Sequence, residues 1–532
     1  MSSHAEIERF ILGFEGRVAP AERAVQEAWW SLATTGTEEA QEGLIRAGME
    51  YTRVFADRDA YEKVERWHAE RGALESPLLR RQVEVLYRTF AGQQGDEGVL
   101  ERIQELEARA NAVYVNHRGV VGGREVGENE IREILRSSDD EALRREAWEA
   151  SKTVGPQVEE TVRELARNRN RLAREAGYPD HYHRSLDLQE IDAAELGRTM
   201  VELEAATDAP FRELKEGLDA KLGQRFGVGS VMPWHLYDPF FQEPPEDDAL
   251  DVDRYFRERD LEQLTRRTYD DMGLEVRDVL ARSDLYARAG KNQHAFCLAV
   301  GREYPYDVRV LANVRSDAYW MDTMLHEFGH AVYDRYINPR LPYFLRTVSH
   351  TCTTEAIALM MGSLSEEPGW LQKVAGVLEE ELRDDLEALA ARRRAARLVF
   401  TRWALVMFNF ERELYADPER EDLNSLWWDL VERLQMVERP PGRDEPDWAA
   451  KIHVAVAPVY YHNYVLGHLI SAQLRNHIET RVTRGPFYEN EAAGRYLVEA
   501  FFGPGARENW RETVLRATGE PLSPAHFVGA IG

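Results

Sequence analysis

His326-Glu327-Phe328-Gly329-His330 reads H-E-x-x-H, and the surrounding residues 320–336 carry apolar side chains at helical spacing. On a helix, positions i and i+4 share one face, one turn apart. Two imidazoles placed so on a helix can grip a single Zn²⁺. Glu327, beside the first histidine, is then placed to act as a base on water at the metal. The pattern therefore points to a metal, a base and a hydrolytic reaction together. The bland alternative is a helix with two surface histidines.

Catalytic zinc usually takes three protein ligands and keeps one position open. Glu355 follows His330 by 25 residues, at the start of a second helical segment, residues 353–361. That separation allows the first helix to end near Asn338-Pro339, a loop through Pro342, and a returning helix with Thr353 or Thr354 near its N-cap. The expected ligand set is His326, His330 and Glu355, for one zinc per chain. Read alone, Glu355 is also an ordinary acid near a helix N-terminus, where the dipole favours it. His350, in the expected loop, is the competing ligand.

The rest of the chain reads as mainly α. Residues 99–113, 128–136, 140–154 and 156–176 have helical periodicity, and helix returns over 369–402, 403–415, 424–436 and about 458–482. Residues 295–300 and 308–314 flank Tyr304-Pro305-Tyr306 and read as a short hairpin beside the metal helix, with an edge free for strand addition. The clearest break is 226–250, with Gly227, Gly229, Pro233, Pro239 and the acidic stretch Pro244-Pro245-Glu246-Asp247-Asp248. Its Trp234, Tyr237, Phe240 and Phe241 favour a packed crossover over a loose linker. We expect one helical domain over 1–532, with a lobe of about 1–225 carrying lid helices, a lobe of about 250–532 carrying the metal, and a deep central groove.

Charge and composition exclude some functions. The formal net charge of −27 argues against nucleic acid and anionic membranes as partners. No apolar run of about 20 residues is present, so no membrane-spanning helix is expected. The N-terminal residues do not read as a secretory signal, and a cytoplasmic location is expected. Two cysteines, Cys297 and Cys352, rule out a disulfide framework and are expected to be free thiols. His468 and His477 are expected to be packed or surface histidines.

On these motifs the chain resembles the gluzincin peptidases, and specifically the angiotensin-converting-enzyme family of peptidyl-dipeptidases. The N-terminal stretches 28–35, 130–135, 143–149 and 168–171 follow that family only in helical order. Nearer the site the similarity sharpens, at His294-Ala295 and at Ala450-Lys451-Ile452-His453 with the later Tyr460-Tyr461-His462-Asn463-Tyr464. The resemblance implies that Lys451 binds a substrate's C-terminal carboxylate, that Tyr461 helps hold the C-terminal end, and that His453 and Tyr464 contact the scissile carbonyl oxygen or the neighbouring backbone. It also implies that His294 and Ala295 align the peptide as an extended strand. Tyr460 rivals Tyr461, because the spacing from His453 to Tyr464 is one residue longer than in the family. Lysine usage supports Lys451 separately: only seven of the 67 basic residues are lysine, and one lies two positions before His453.

Two positions depart from the family. Leu359 stands where an aspartate would orient a zinc histidine, so another acceptor is required. Asn463 stands where a chloride-binding arginine is expected, which argues against chloride activation. The expected activity is zinc-dependent hydrolysis of short peptides with a free C-terminus, releasing dipeptides. The alternatives are a thimet-type oligoendopeptidase and a catalytically silent peptide-binding protein.

Overall fold

The H-E-x-x-H pentapeptide lies in the helix Ala318–Arg335. Asp317 caps it, accepting the Trp320 N–H at 2.8 Å. Apolar residues at helical spacing, among them Met321, Met324, Leu325 and Phe328, are buried. The helix stops before Asn338-Pro339, because the Tyr336 N–H closes the last turn onto Val332 and Tyr333.

The structure is a computed structural model that describes residues 4–245 and 250–531. Glu246, Asp247 and Asp248 of the acidic stretch lie outside the described residues, as do Met1, Ser2 and Ser3. The chain is mainly helical, and the strands among the described residues form two antiparallel pairs.

The second helix of the site is Thr351–Gly362. Its cap is His350, not Thr353 or Thr354. The His350 Nδ1 accepts from the Cys352 N–H at 3.0 Å, and the Thr353 hydroxyl donates to the His350 carbonyl at 2.7 Å. This helix crosses Ala318–Arg335 at very short range. A Cβ added to Gly329 would stand 2.8 Å from the Ala358 Cα and 3.1 Å from its nitrogen. Both neighbours are backbone atoms, so the crossing tolerates only hydrogen at position 329. Gly467, on the helix Tyr461–His477, repeats the device: a Cβ there would meet the Glu355 Cβ at 3.1 Å and Leu359 Cδ1 at 3.3 Å.

The hairpin forms as the sequence implies. Phe296–Ala299 pairs antiparallel with Val308–Leu311, with Phe296 opposite Leu311 and Ala299 opposite Val308. The N-terminal helix His4–Thr35 grips the connecting turn. Arg302 donates to the buried Glu22 carboxylate at 2.6 to 3.1 Å, and the Gly301 N–H donates to Gln26 Oε1 at 2.6 Å. Farther along, Phe14, Phe55 and Phe90 form one buried cluster with Tyr343 and Phe344.

The chain divides into two compact units, each drawn from separate stretches of sequence. One compact unit comprises Met1–Gln94, Asp251–Leu386 and Leu466–Phe527, so the N-terminal helices pack in the same unit as the histidine helix. The other comprises Gly95–Leu250, Glu387–Val465 and Val528–Gly532. In this second unit Trp234, Tyr237 and Phe241 are buried, in keeping with a packed crossover. The helix Leu386–Ala416 runs unbroken through the boundary expected at 402–403. It packs Trp403 and Phe410 against Trp427 of the helix Leu423–Gln435.

Replacing Gly329 with alanine should overpack the helix crossing and destabilise the protein by about 1–3 kcal/mol. Urea unfolding of the variant checks this; an unchanged midpoint would mean the crossing can relax.

Candidate metal centre and substrate-binding residues

His326, His330 and Glu355 each offer a ligand atom, and the three atoms lie within 4.8 Å of one another. The helical repeat sets the histidine pair, whose ring centroids stand 5.0 Å apart. The glycine crossing sets the third member: His326 Nε2 is 3.8 Å from Glu355 Oε2. His330 Nδ1 is engaged by the Thr354 hydroxyl at 2.7 Å. With the ring proton on Nδ1 and donated to Thr354, the lone pair sits on Nε2, free for a cation. In that tautomer Thr354 would orient the His330 ring, where Leu359 offers no acceptor. The Leu359 side chain instead packs towards Gly467.

Burial tunes these groups. It lowers His326 to about 4 and, with His326 adding repulsion, His330 to about 3. Both imidazoles are thus neutral at pH 7, the form that ligates metal. Burial raises Glu355 to about 7. Glu327 is pushed to about 8, first by burial and then by repulsion from Glu355, against a stabilising hydrogen bond from the Cys297 main chain. Two crowded carboxyls beside two neutral imidazoles make a site that gains from a divalent cation. Two nitrogen donors and one oxygen donor are a set suited to catalytic zinc. His350, the rival ligand, is a helix cap whose ring lies against Trp510.

His294 and Ala295 directly precede the strand Phe296–Ala299, in the same unit as the cluster. His294 is exposed, and its main-chain N–H donates to Asn292 Oδ1 at 2.9 Å. Cys297 and Cys352 are both free.

Lys451, His453 and the tyrosines gather in the second unit. His453 and Tyr461 have ring centroids 5.1 Å apart, Tyr461 and Tyr464 5.6 Å, and Tyr460 and Tyr464 5.2 Å. Tyr461 is buried against Trp403, while Tyr460 and Tyr464 are part-exposed. Lys451 Nζ donates to Gln242 Oε1 at 2.6 Å and lies over the rings of Trp403 and Phe240, at 5.4 and 5.6 Å. Burial lowers its ammonium to about 8, opposed by Asp238. Burial and Lys451 together lower His453 to about 4. Asn463 is buried and donates to Gln189 Oε1 at 3.0 Å.

Three participants escaped sequence reasoning. Thr354 was visible only as a neighbour of Glu355. Gln242 sits 209 positions from Lys451, and no local pattern marks it. The Cys297 amide acts through the main chain, which carries no side-chain signature.

The family model described as Peptidase family M3 matches residues 134–532. The chain belongs to this family. No curated protein matches it. M3 peptidases are zinc metallopeptidases that hydrolyse peptides, and the part-buried His-His-Glu cluster lies within the matched residues. The family description does not separate dipeptide release from internal cleavage. Residues 1–133 of this M3 peptidase lie outside the match. Among the described residues, no helix is long and apolar enough to cross a membrane.

Zinc added to the metal-free M3 peptidase at pH 7 should release about one proton. Glu355 and Glu327, raised to about 7 and about 8, hold protons there that a cation expels, whereas the neutral histidines have none to lose. Calorimetry in buffers of different ionisation enthalpy measures the release. Zinc binding without it would contradict the protonated carboxyls.

Proposed function

We propose that this M3 peptidase removes C-terminal dipeptides from short peptides with a free carboxyl end. The supporting observation is Lys451. Its part-buried ammonium donates to a neutral amide oxygen of Gln242, and among the described residues no carboxylate pairs with it. A part-buried cation on aromatic walls is poorly solvated and gains strongly from a carboxylate. A peptide's terminal carboxylate supplies that charge, with Gln242 and Tyr461 beside it. An enzyme that cuts internally has no use for such a cation.

His326, His330 and Glu355 would hold the zinc. The chemistry it supplies when bound is Lewis acidity, which acidifies water towards a pKa of ~7 and polarises a carbonyl. Glu327 takes the proton from the attacking water and passes it to the leaving amine. Its placement on the helix one residue after His326 keeps it beside the reacting atoms. The strand Phe296–Ala299 pairs with the peptide main chain by strand addition, and His294 and Ala295 extend that alignment. Tyr464 and His453 donate hydrogen bonds to the carbonyl oxygen as negative charge develops. Removing one such donor typically costs ~3–4 kcal/mol of transition-state stabilisation.

Glu327→Gln should abolish turnover, by roughly a thousandfold or more, while zinc content stays at that of the unmodified enzyme. Near-normal hydrolysis by this variant would remove Glu327 from the reaction.

The Lys451 reading predicts a pH effect on binding. As pH rises through about 8 the ammonium loses its proton, so KM should climb for a free-acid peptide and stay flat for its C-terminal amide. Mass spectrometry of products from a decapeptide should show successive loss of two-residue fragments. Internal cuts, with equal rates on acid and amide, would mean an oligoendopeptidase.

A further inference from the structure

Val459 has a positive φ of 52°. Branched at Cβ and buried, it holds a backbone conformation that such residues rarely adopt. It sits between the short helix His453–Val456 and the helix Tyr461–His477, and so between the histidine and the tyrosines assigned to the carbonyl oxygen. Strain at such a junction persists only where the surroundings impose it.

The surroundings are specific. The Val459 N–H donates to Glu411 Oε1 at 2.8 Å, and Glu411 is a buried carboxyl on the helix Leu386–Ala416. Gln189 Nε2 donates to the Val459 carbonyl at 3.5 Å. Its Oε1 accepts from Asn463 Nδ2 at 3.0 Å and contacts His462 Nε2 at 3.2 Å. On the other side of the turn, the buried Arg169 donates to the Ala455 carbonyl at 2.6 Å, to Tyr415 Oη at 3.1 Å and to Glu107 at 2.7 Å. Both ends of residue 459 are thus held by side chains from distant segments. No charged group of the second unit forms an ion pair with Glu411 among the described residues, and burial raises its carboxyl to about 8, opposed by the Val459 N–H and Arg169. A buried carboxyl needs a hydrogen-bond partner, and the Val459 N–H is that partner.

We propose that Glu411 is a positioning residue: by holding the strained Val459 turn it fixes the register of Tyr464 and Tyr461 relative to His453. Gln189 completes the clamp from the carbonyl side. The rest of the chain around the turn needs no such device, since the helices on either side have ordinary geometry. The register matters because hydrogen-bond donors to a developing oxyanion work only when preorganised, and a displacement of about 1 Å can reduce rate about a hundredfold. Glu411 itself touches neither substrate nor metal in this assignment. The inference rests on the catalytic reading of Tyr464 and His453 given above for its effect on rate, but not for its effect on the turn.

The experiment uses the full-length zinc-loaded enzyme and four forms: Glu411→Leu, Glu411→Gln, Val459→Gly and the double variant Glu411→Leu/Val459→Gly. Glu411→Leu should lower kcat by roughly 10–100-fold and change KM by less than about twofold, with zinc content unaltered. Glu411→Gln keeps an oxygen acceptor and should stay within about threefold of the unmodified enzyme. Glycine adopts positive φ without strain, so the double variant should recover to within about fivefold of it. In parallel, hydrogen exchange over residues 457–465 should lose protection in Glu411→Leu and regain it in the double variant. An unchanged kcat in Glu411→Leu, or a fall that glycine at 459 does not reverse, would overturn the proposal. If the unmodified enzyme hydrolyses no peptide, the functional reading fails by itself. Exchange then decides the clamp: protection unaltered by Glu411→Leu overturns it, and protection lost and regained as described supports it.

Discussion

The metal cluster depends on one steric fact, the absence of a side chain at position 329. Helices normally pack with their axes 8–10 Å apart, a distance set by the side chains between them. Where Gly329 meets the backbone of Ala358, no side chain intervenes on one helix, and the partner can approach until main chains touch. Glu355 lies one turn before Ala358 on that partner and is thereby carried within 3.8 Å of His326. A carboxylate is a short ligand, and it reaches a metal shared with two imidazoles only when its helix is this close. Gly467 extends the same principle to a third helix, which abuts the Cβ of Glu355.

The electrostatics follow from that closeness. Side chains drawn together in a protected place lose water before they gain a partner. Carboxyls then hold protons and imidazoles shed them, so the site is nearly neutral without a cation. The arrangement is poised in a chemical sense: a divalent ion converts mutual crowding of acids into attraction. Lys451 in the second unit is the mirror case, a cation whose hydration has been replaced by ring faces and one amide.

Much of this was legible in the chain itself, and the parts that were not share a cause. The histidine pair, Glu327 and Glu355 could be read because a helix converts fixed spacing into fixed geometry. The hairpin was readable from alternation around a turn. The cap of the second helix was misassigned because histidine is an unusual cap, and its ring nitrogen does what a threonine hydroxyl was expected to do. The packing of the N-terminal helix was hidden because Glu22 and Gln26 meet a turn some 280 residues later. Gln242 and Glu411 were equally hidden, since their importance lies in what approaches them from far along the sequence. Register between distant segments is a tertiary property, and no window of neighbouring residues contains it.

The pairing of His330 with a threonine has a chemical corollary. An aspartate behind a ligating imidazole lends it negative charge and makes it a stronger electron donor. A hydroxyl orients the ring but lends almost none. A cation held at this site would draw less electron density through His330 than one whose histidine is backed by a carboxylate.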